Sequence, residues 1–363
     1  MAQRQSACHI VEIVGKGKGL VATRFLARGT LIVAEKPIIQ LPRGFNENMT
    51  QNEMRDYASN TAMEILMTFP GDSRPDQIIT SRFKHFLPMD DNKKFVSGLF
   101  ETICRANHSC IPNAFFSWND SQGKETLYAT VDIQKGEEIE VMYIDETEPR
   151  VGGDCRAYME REFGFTCMCP ACDRLPEERM QVAARTREYV AWRDNELPNS
   201  FGSKPPLVIL DRLEEYTLRA CADGFWHEIG PRCNEAYQLC AYYGDAVHAA
   251  QWEAINGTMQ TICRGKDSVN AAESRRCVAH PGKFWAFGMF GKRQLRGPSA
   301  AMKACVNRTP VRQIRAAVAT TVEAGSPTAS DQVAAPVGTK ALSKGQKKKM
   351  KEKQKKAAEQ VQV

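Results

Sequence analysis

The 363-residue sequence lacks any long apolar run. Nowhere do about 18 apolar residues stand together, the length that a membrane-spanning helix needs, so we expect no membrane segment. The first residues are not followed by an apolar stretch, so we also expect no signal peptide. Both absences predict a protein of the nucleus or cytoplasm, where cysteines stay reduced. The 13 cysteines are therefore expected to be thiols or metal ligands and not disulfides.

The folded part of the sequence also lacks a strong excess of charge. The whole chain has a formal net charge of +6. Residues 340–356 hold nine Lys and one Glu and so carry a charge of +8, which leaves the rest of the chain close to neutral. Residues 291–363 are poor in aromatic side chains and are predicted to be disordered, because they bury too little apolar surface to offset the entropy of ordering. Nucleic acid could bind only through the Lys-rich tail, and not through a basic face of the core.

Residues 15–19 (G-K-G-K-G) separate a predicted strand at residues 9–14 from another that begins at Leu20. Alternating glycines permit positive φ angles and let a ligand come close to the backbone. No Gly-Lys-Ser/Thr follows, which excludes a P-loop, and the strand that follows argues against a dinucleotide fingerprint. Taken alone, the pattern is more often an ordinary glycine-rich hairpin turn.

Residues 107–113 (N-H-S-C-I-P-N) are dense in chemically capable side chains. They offer two carboxamides, an imidazole and a thiol. A helix is predicted over residues 93–105, leading into this segment. The alternative interpretation is a polar loop whose side chains bond their own backbone.

Residues 167–172 (C-M-C-P-A-C) form the most specific local motif. Three cysteines this close have the spacing of tetrahedral zinc sites, although three inert thiols would give the same sequence. A structural site needs a fourth ligand from elsewhere, and from spacing alone Cys110 and Cys155 are both candidates.

Alternating and amphipathic patterns predict the other elements. Tyr143 ends a predicted strand, where an aromatic side chain that only packs would also fit. A capping-box pattern at residues 50–53 predicts a helix that ends near Pro70. Further strands are predicted at residues 31–35, 115–118, 126–131 and 139–143, and helices at residues 177–192, 207–221, 224–243 and 245–262.

Four features in this order resemble the SET-domain protein lysine methyltransferases: G-K-G-K-G-L, N-H-S-C-x-P-N, G-E-E-I-x-V-x-Y and F-G-F-T-C-x-C-x-x-C. The sequence is most similar to SMYD-like fungal SET proteins without a MYND insertion. The resemblance covers residues 9–173. It implies an α+β fold of small antiparallel β-sheets, in which the N-H-S-C segment and the strand that ends at Tyr143 form a pseudoknot.

The resemblance also implies a division of the chain. Residues 1–150 would form the SET domain, with a helical insert at about 46–104, and residues 151–176 a post-SET zinc-binding segment. Residues 177–290 would form an all-α, tetratricopeptide-like region, followed by the Lys-rich tail at 291–363.

Single residues receive roles from the same resemblance. Tyr143 matches the family's catalytic tyrosine, and Phe163 the ring that lines the lysine channel. The positions that bind S-adenosylmethionine are Lys16, Gly17, Lys18, Leu20, Asn107, His108 and Phe165. The zinc ligands are Cys110, Cys167, Cys169 and Cys172. The implied partner is a lysine-containing protein, histone or non-histone, and the implied state is a monomer.

Two alternatives compete with this enzyme. A non-catalytic module could use the same fold and zinc site to bind partners, and a basic-tailed nucleic-acid-binding protein is disfavoured by the near-neutral core. The sequence also departs from the family at His85, where related chains carry Asn, which affects one part of the expected cofactor pocket.

Overall fold

The computed structural model describes residues 6–41, 59–66, 68, 85–87, 96–144 and 155–307. The capping box at residues 50–53 and the Lys-rich segment at 340–356 lie outside these residues. So does the side chain of His85, although the backbone of that residue is described.

Ten strands form three small sheets within the described residues. Their order is β1-β2-β10-β7 in the first sheet, β3-β9-β8 in the second and β4-β6-β5 in the third. The strands are Cys8–Ile13 (β1), Gly17–Ala22 (β2), Leu31–Glu35 (β3), Ile39–Leu41 (β4), His85–Leu87 (β5), Val96–Leu99 (β6), Asn107–His108 (β7), Ala114–Asn119 (β8), Lys124–Ala129 (β9) and Glu138–Val141 (β10).

Neighbouring strands are antiparallel with one exception, the parallel pair β7 and β10. The strands predicted around the glycine turn, at residues 31–35 and on both sides of Gly123 are confirmed. The strand predicted to end on Tyr143 ends at Val141, two residues earlier.

The helix predicted over residues 93–105 is wrong. Val96–Leu99 is instead the central strand of the third sheet, and a 3₁₀ turn follows at Ile103–Arg105. The carboxylate of Glu35 accepts hydrogen bonds from the backbone N–H groups of Thr102 and Ile103, which holds the start of this turn. The predicted helical insert at 46–104 is therefore partly sheet, since Asn60–Leu66 (α1) is its only α-helix among the described residues.

The region after the sheets is helical, as predicted. Its helices are Cys155–Phe163 (α2), Pro176–Ala191 (α3), Leu197–Ser200 (α4), Pro206–Asp223 (α5), Ile229–Tyr242 (α6), Ala246–Arg264 (α7), Val269–Ala279 (α8) and Ala300–Asn307 (α9). None of the helices in the described ranges combines the length and the apolar character that crossing a membrane requires.

Ordered structure continues beyond residue 291, where the disordered tail was predicted to begin. Helix α9 buries Met302, Cys305 and Val306 in the helical core. A disulfide joins Cys221 on α5 to Cys305 on α9. The predicted border is therefore wrong by at least 16 residues, and the expectation that every cysteine is a thiol or a metal ligand is wrong for this pair.

The sheets and the helices share an interface. Arg28 donates hydrogen bonds to the carbonyl oxygens of Thr130 and Val306, and its guanidinium lies over the Trp226 ring. Gly265, just after α7, lies against the Tyr128 side chain of β9. The helical region therefore stabilises the second sheet directly.

We predict that Gly265→Ala destabilises the chain by about 2–4 kcal/mol. Gly265 has a φ of +87°, and a Cβ atom there would lie 2.2 Å from the Tyr128 Oη, so backbone strain and overlap add. Gly291→Ala is the matched control, because its φ is +84° and nothing lies within 4 Å of its Cβ position. Urea unfolding should give a loss of only about 1 kcal/mol for this control. Equal losses in both variants would show that Tyr128 yields and is not a fixed neighbour.

Candidate active site and cysteine cluster

The parallel pairing of β7 with β10 brings together two distant parts of the sequence. Asn107 lies opposite Glu140, and His108 lies opposite Val141. The N–H of Ser109 also donates to the carbonyl of Val141. The N-H-S-C segment therefore runs beside the chain just before Tyr143.

His108 connects this pair to the cysteines. Its Nδ1 accepts a hydrogen bond of 3.1 Å from the backbone N–H of Tyr143, and its Nε2 lies 3.3 Å from the Cys110 Sγ. Because Nδ1 is the acceptor, the ring proton belongs on Nε2 and faces the sulfur. The buried imidazole thus fixes the position of the Tyr143 backbone.

The Tyr143 hydroxyl donates its proton to the carbonyl oxygen of Ala106 at 2.8 Å. Burial, and then the nearby carboxylates of Glu138 and Glu140, raise the pKa of Tyr143 well above its usual value. The hydroxyl therefore stays protonated near neutral pH, while its oxygen can still accept a hydrogen bond. A phenol of this kind can orient an amine but cannot serve as a base.

Aromatic rings surround this hydroxyl. The ring centroid of Tyr143 lies 5.5 Å from that of Phe163, 6.5 Å from that of Phe165 and 5.3 Å from that of His108. Phe163 and Phe165 are half-buried, so the group is partly open to solvent. A group of rings of this kind disfavours a charged amine, because the rings replace water around it.

A charged cluster lies beside the aromatic group. The Lys16 Nζ lies 2.7 Å from a carboxylate oxygen of Glu138 and 2.8 Å from one of Glu140. Asn107 donates its side-chain N–H to the other Glu138 oxygen at 2.8 Å. Asn107 therefore holds its amide in a set orientation, with its Oδ1 left to accept.

Lys16 and Glu138 shift each other's pKa values. Burial alone would lower the pKa of Lys16, but Glu140 and Glu138 raise it above the ordinary value. Burial and then Glu140 raise the pKa of Glu138, although Lys16 and Asn107 oppose this. The lysine therefore opposes the rise in the pKa of Glu138 that burial and Glu140 cause.

The glycine turn lets β2 come close to Asn107. A Cβ atom on Gly19 would lie 2.7 Å from the Asn107 Nδ2 and 2.6 Å from the Ile13 Cδ1, so a larger residue here would displace one of these side chains. Gly17 has a φ of +72°, which also favours glycine. Two predicted positions lie outside the cluster, since Lys18 lines a separate cleft with Arg105, and the Leu20 side chain is fully buried in the core.

The four predicted zinc ligands are brought together. Every pair of sulfur atoms from Cys110, Cys167, Cys169 and Cys172 lies within 4.8 Å, and all four side chains are buried. The backbone N–H of Cys110 also donates to the Cys169 Sγ at 3.4 Å. Cys155, the other candidate for the fourth ligand, has its Sγ 2.8 Å from that of Cys110 but falls outside this foursome.

Three residues that position the site were not assigned a role from sequence. Gly19 and Glu138 were visible only as parts of the G-K-G-K-G-L and G-E-E-I motifs. The buried side chain of Asn113 donates to the Glu138 carbonyl and accepts from the Glu140 N–H, which ties its loop to β10. The available signal in the sequence was the run of acidic residues in the G-E-E-I motif, at the start of a strand that ends near Tyr143.

Residues 17–144 match the SET domain family, which confirms the resemblance and the fold class. The histone-lysine N-methyltransferase set5 of Schizosaccharomyces pombe is 27% identical in an alignment 290 residues long, which covers 75% of this chain and 83% of that protein. The protein-lysine N-trimethyltransferase SMYD5 of Gallus gallus is 42% identical over 77 residues. The histone-lysine N-methyltransferase ATXR2 of Arabidopsis thaliana is 38% identical over 73 residues.

These alignments cover different fractions of the chain. The alignment with the chicken protein covers 21% of this chain and 18% of that protein, and the alignment with the plant protein covers 18% and 14%. A solved structure of a Plasmodium falciparum protein is 17% identical with a TM-score of 0.24, covering 39% of this chain and 95% of that one. That score is too low to support an argument.

We predict that Lys16→Met destabilises the chain by about 1–2 kcal/mol at pH 8 and by less than half of that at pH 5. Without the lysine, Glu138 and Glu140 lose a common counter-charge. The pKa of Glu138 is already raised, so lowering the pH protonates it in the folded state before the unfolded state, and the repulsion disappears. Urea unfolding at both pH values measures this difference. Lys18→Met, which removes an exposed lysine two residues away, should change little at either pH, and a pH-independent loss in Lys16→Met would contradict the assignment.

Proposed function

We propose that this chain, whose residues 17–144 form a SET domain, transfers methyl groups from S-adenosylmethionine to a lysine side chain of a protein. The observation that carries the proposal is the Tyr143 hydroxyl, which donates to Ala106 and places a phenolic oxygen inside a group of aromatic rings. An amine that enters this group would meet one acceptor and little water.

The residues around Asn107 fit the cofactor. S-adenosylmethionine, when bound, supplies a methyl group on a positively charged sulfur. Its amino group needs acceptors, and the Asn107 Oδ1 beside the carboxylate of Glu138 provides them. Because two carboxylates already engage the Lys16 ammonium, the glycine turn would contribute backbone groups, from Lys16, Gly17, Lys18 and Leu20. His108 and Phe165, with ring centroids 6.3 Å apart, would bind the adenine.

Most of the catalysis in this scheme comes from holding the reacting groups in the correct orientation. Displacement at a methyl carbon needs the amine held in line, and no strong acid is required. The lysine must be neutral to attack, and the rings of Phe163 and Tyr143 favour the neutral amine by desolvation. Its proton is therefore lost to solvent at the open side of the group, since Tyr143 keeps its own. The Tyr143 oxygen then accepts an N–H of the amine and directs its lone pair.

Zinc is the metal that suits the four cysteines. Four thiolates within this distance give the tetrahedral sulfur environment of structural zinc sites, and such sites stabilise the fold. Cys110 follows β7, while Cys167, Cys169 and Cys172 follow Phe163 and Phe165. The metal would therefore hold both rings next to Tyr143.

The substrate is a lysine of a histone or of another protein. The names of the fission yeast and chicken relatives mention histone lysine and protein lysine respectively, and we extend this substrate class to the present chain. We further propose that the enzyme acts as a monomer in the nucleus, the cytoplasm or both.

We predict that Tyr143→Phe lowers methyl transfer on the order of a hundredfold while S-adenosylmethionine still binds. The ring remains, and only the oxygen that directs the amine is lost. Methyl transfer from labelled cofactor to proteins of a cell lysate, and then to the substrate identified there, measures the rate. Cofactor affinity is measured on the same preparations.

Tyr158→Phe is the matched control, because it removes the hydroxyl of another tyrosine that packs on Phe163. This control should keep its rate. Equal rates in wild type and Tyr143→Phe, at equal cofactor affinity, would reject the catalytic role. A chain that binds cofactor but labels no protein would favour the non-catalytic interaction module.

We predict one zinc ion per chain and its loss in Cys110→Ser. Removing one of four ligands weakens a tetrahedral site severely. Elemental analysis of the purified protein gives the zinc content. Cys277→Ser is the control, since Cys277 lies on α8, outside the cluster. Full zinc content in Cys110→Ser would exclude this cysteine as a ligand.

A further inference from the structure

A fifth cysteine lies against the predicted metal ligands. The Cys155 Sγ is 2.8 Å from that of Cys110, while the Cys110 Sγ is 3.5 Å from that of Cys172. Cys155 is the first described residue of α2, and the four-cysteine group accounts for a complete tetrahedral site without it. The structure thus places a surplus thiol in contact with one member of the site.

The surplus thiol can be reached from outside. All members of the four-cysteine group, including Cys110, are buried, whereas Cys155 is half-buried. A cavity of about 350 Å³ is lined by Cys155, Cys110 and Cys172 together with the α3 residues Arg179 and Met180. A small neutral oxidant can enter a space of this size and meet the Cys155 sulfur.

We propose that Cys155 is a site of reversible oxidation that forms a disulfide with Cys110. The proposal rests on the zinc site of the proposed function. The Cys155 thiolate attacks hydrogen peroxide, which breaks the O–O bond and leaves a sulfenic acid and hydroxide. The Cys110 thiolate then attacks that sulfur, the S–O bond breaks, and a second hydroxide leaves. Two thiols are oxidised to one disulfide, and one peroxide is reduced to two waters.

Little movement is needed for the second step. A disulfide requires about 2.05 Å between sulfur atoms, so the two sulfurs must approach by less than about 1 Å. The other three thiolates lie in the buried group and would be held by the metal, which leaves Cys155 as the first to react.

The disulfide removes one zinc ligand. With Cys110 in a covalent bond, only Cys167, Cys169 and Cys172 remain for the metal, and release of zinc follows. Cys155 begins α2, and Phe163 ends it, so the same oxidation acts on the element that carries a ring of the candidate active site.

The full-length, zinc-containing chain is treated with hydrogen peroxide. Zinc release is followed with a coloured chelator, and disulfides are mapped by mass spectrometry of unreduced digests. We expect a peptide that joins Cys155 to Cys110, zinc release that rises with it, and recovery of both thiols with dithiothreitol. Cys155→Ser should release zinc at least about tenfold more slowly. Cys277→Ser, which changes the other half-buried free cysteine, should behave as wild type.

Neither measurement depends on methyl transfer, so loss of the proposed enzymatic function would not affect them. Equal zinc release from wild type and Cys155→Ser would overturn the proposal, as would a disulfide that joins two of Cys167, Cys169 and Cys172. If the purified chain holds no zinc, the mapped disulfide alone tests the proposal, which then requires a peptide that joins Cys155 to Cys110. If Cys155→Ser fails to fold, alkylation of wild type by iodoacetamide replaces it, with Cys155 expected to react first and then to protect the metal.

Discussion

The candidate active site depends on one short pairing of backbones, the parallel contact of β7 with β10. Two residue pairs join segments more than 30 positions apart and set Asn107 and His108 beside the chain that leads to Tyr143. The same pairing fixes where Cys110 stands, because Cys110 follows β7 directly. A loss of this contact would separate the charged cluster, the aromatic rings and the cysteines at once. Asn113 supports the contact from its own loop through two hydrogen bonds to the β10 backbone, at Glu138 and Glu140.

Local patterns were enough to predict much of the fold. The strands beside the glycine turn and the helices from residue 176 onward follow from alternation and amphipathic spacing, which act over a few residues. Residues 93–105 were mistaken for a helix because Phe95, Leu99 and Ile103 share a helical face, whereas pairing with β4 and β5 makes Val96–Leu99 a strand. Composition likewise hid α9, because a short helix with three buried side chains barely changes the average of a polar segment.

The site was predictable to the extent that it lies in motifs. The cysteine spacing and the resemblance named the four cysteines, and the structure brings them together. The dependence of Asn107 on Glu138, and of Glu138 on Lys16, was not predictable, because these contacts cross between strands that are far apart in sequence. Spacing also left Cys110 and Cys155 both as candidates for a fourth ligand, and only the structure separates Cys155 from the group of four cysteines.

The two nitrogens of His108 limit which side chains that position can accept. One ring nitrogen contacts the backbone N–H of Tyr143 and the other contacts the Cys110 sulfur, so the imidazole bridges the Tyr143 backbone and the cysteine cluster. A carboxamide carries its donor and its acceptor on the same carbon. It could satisfy either neighbour but would leave the other without a contact. Histidine and asparagine are thus not interchangeable here, although both are polar and both form hydrogen bonds, because the requirement is one of length and opposite direction.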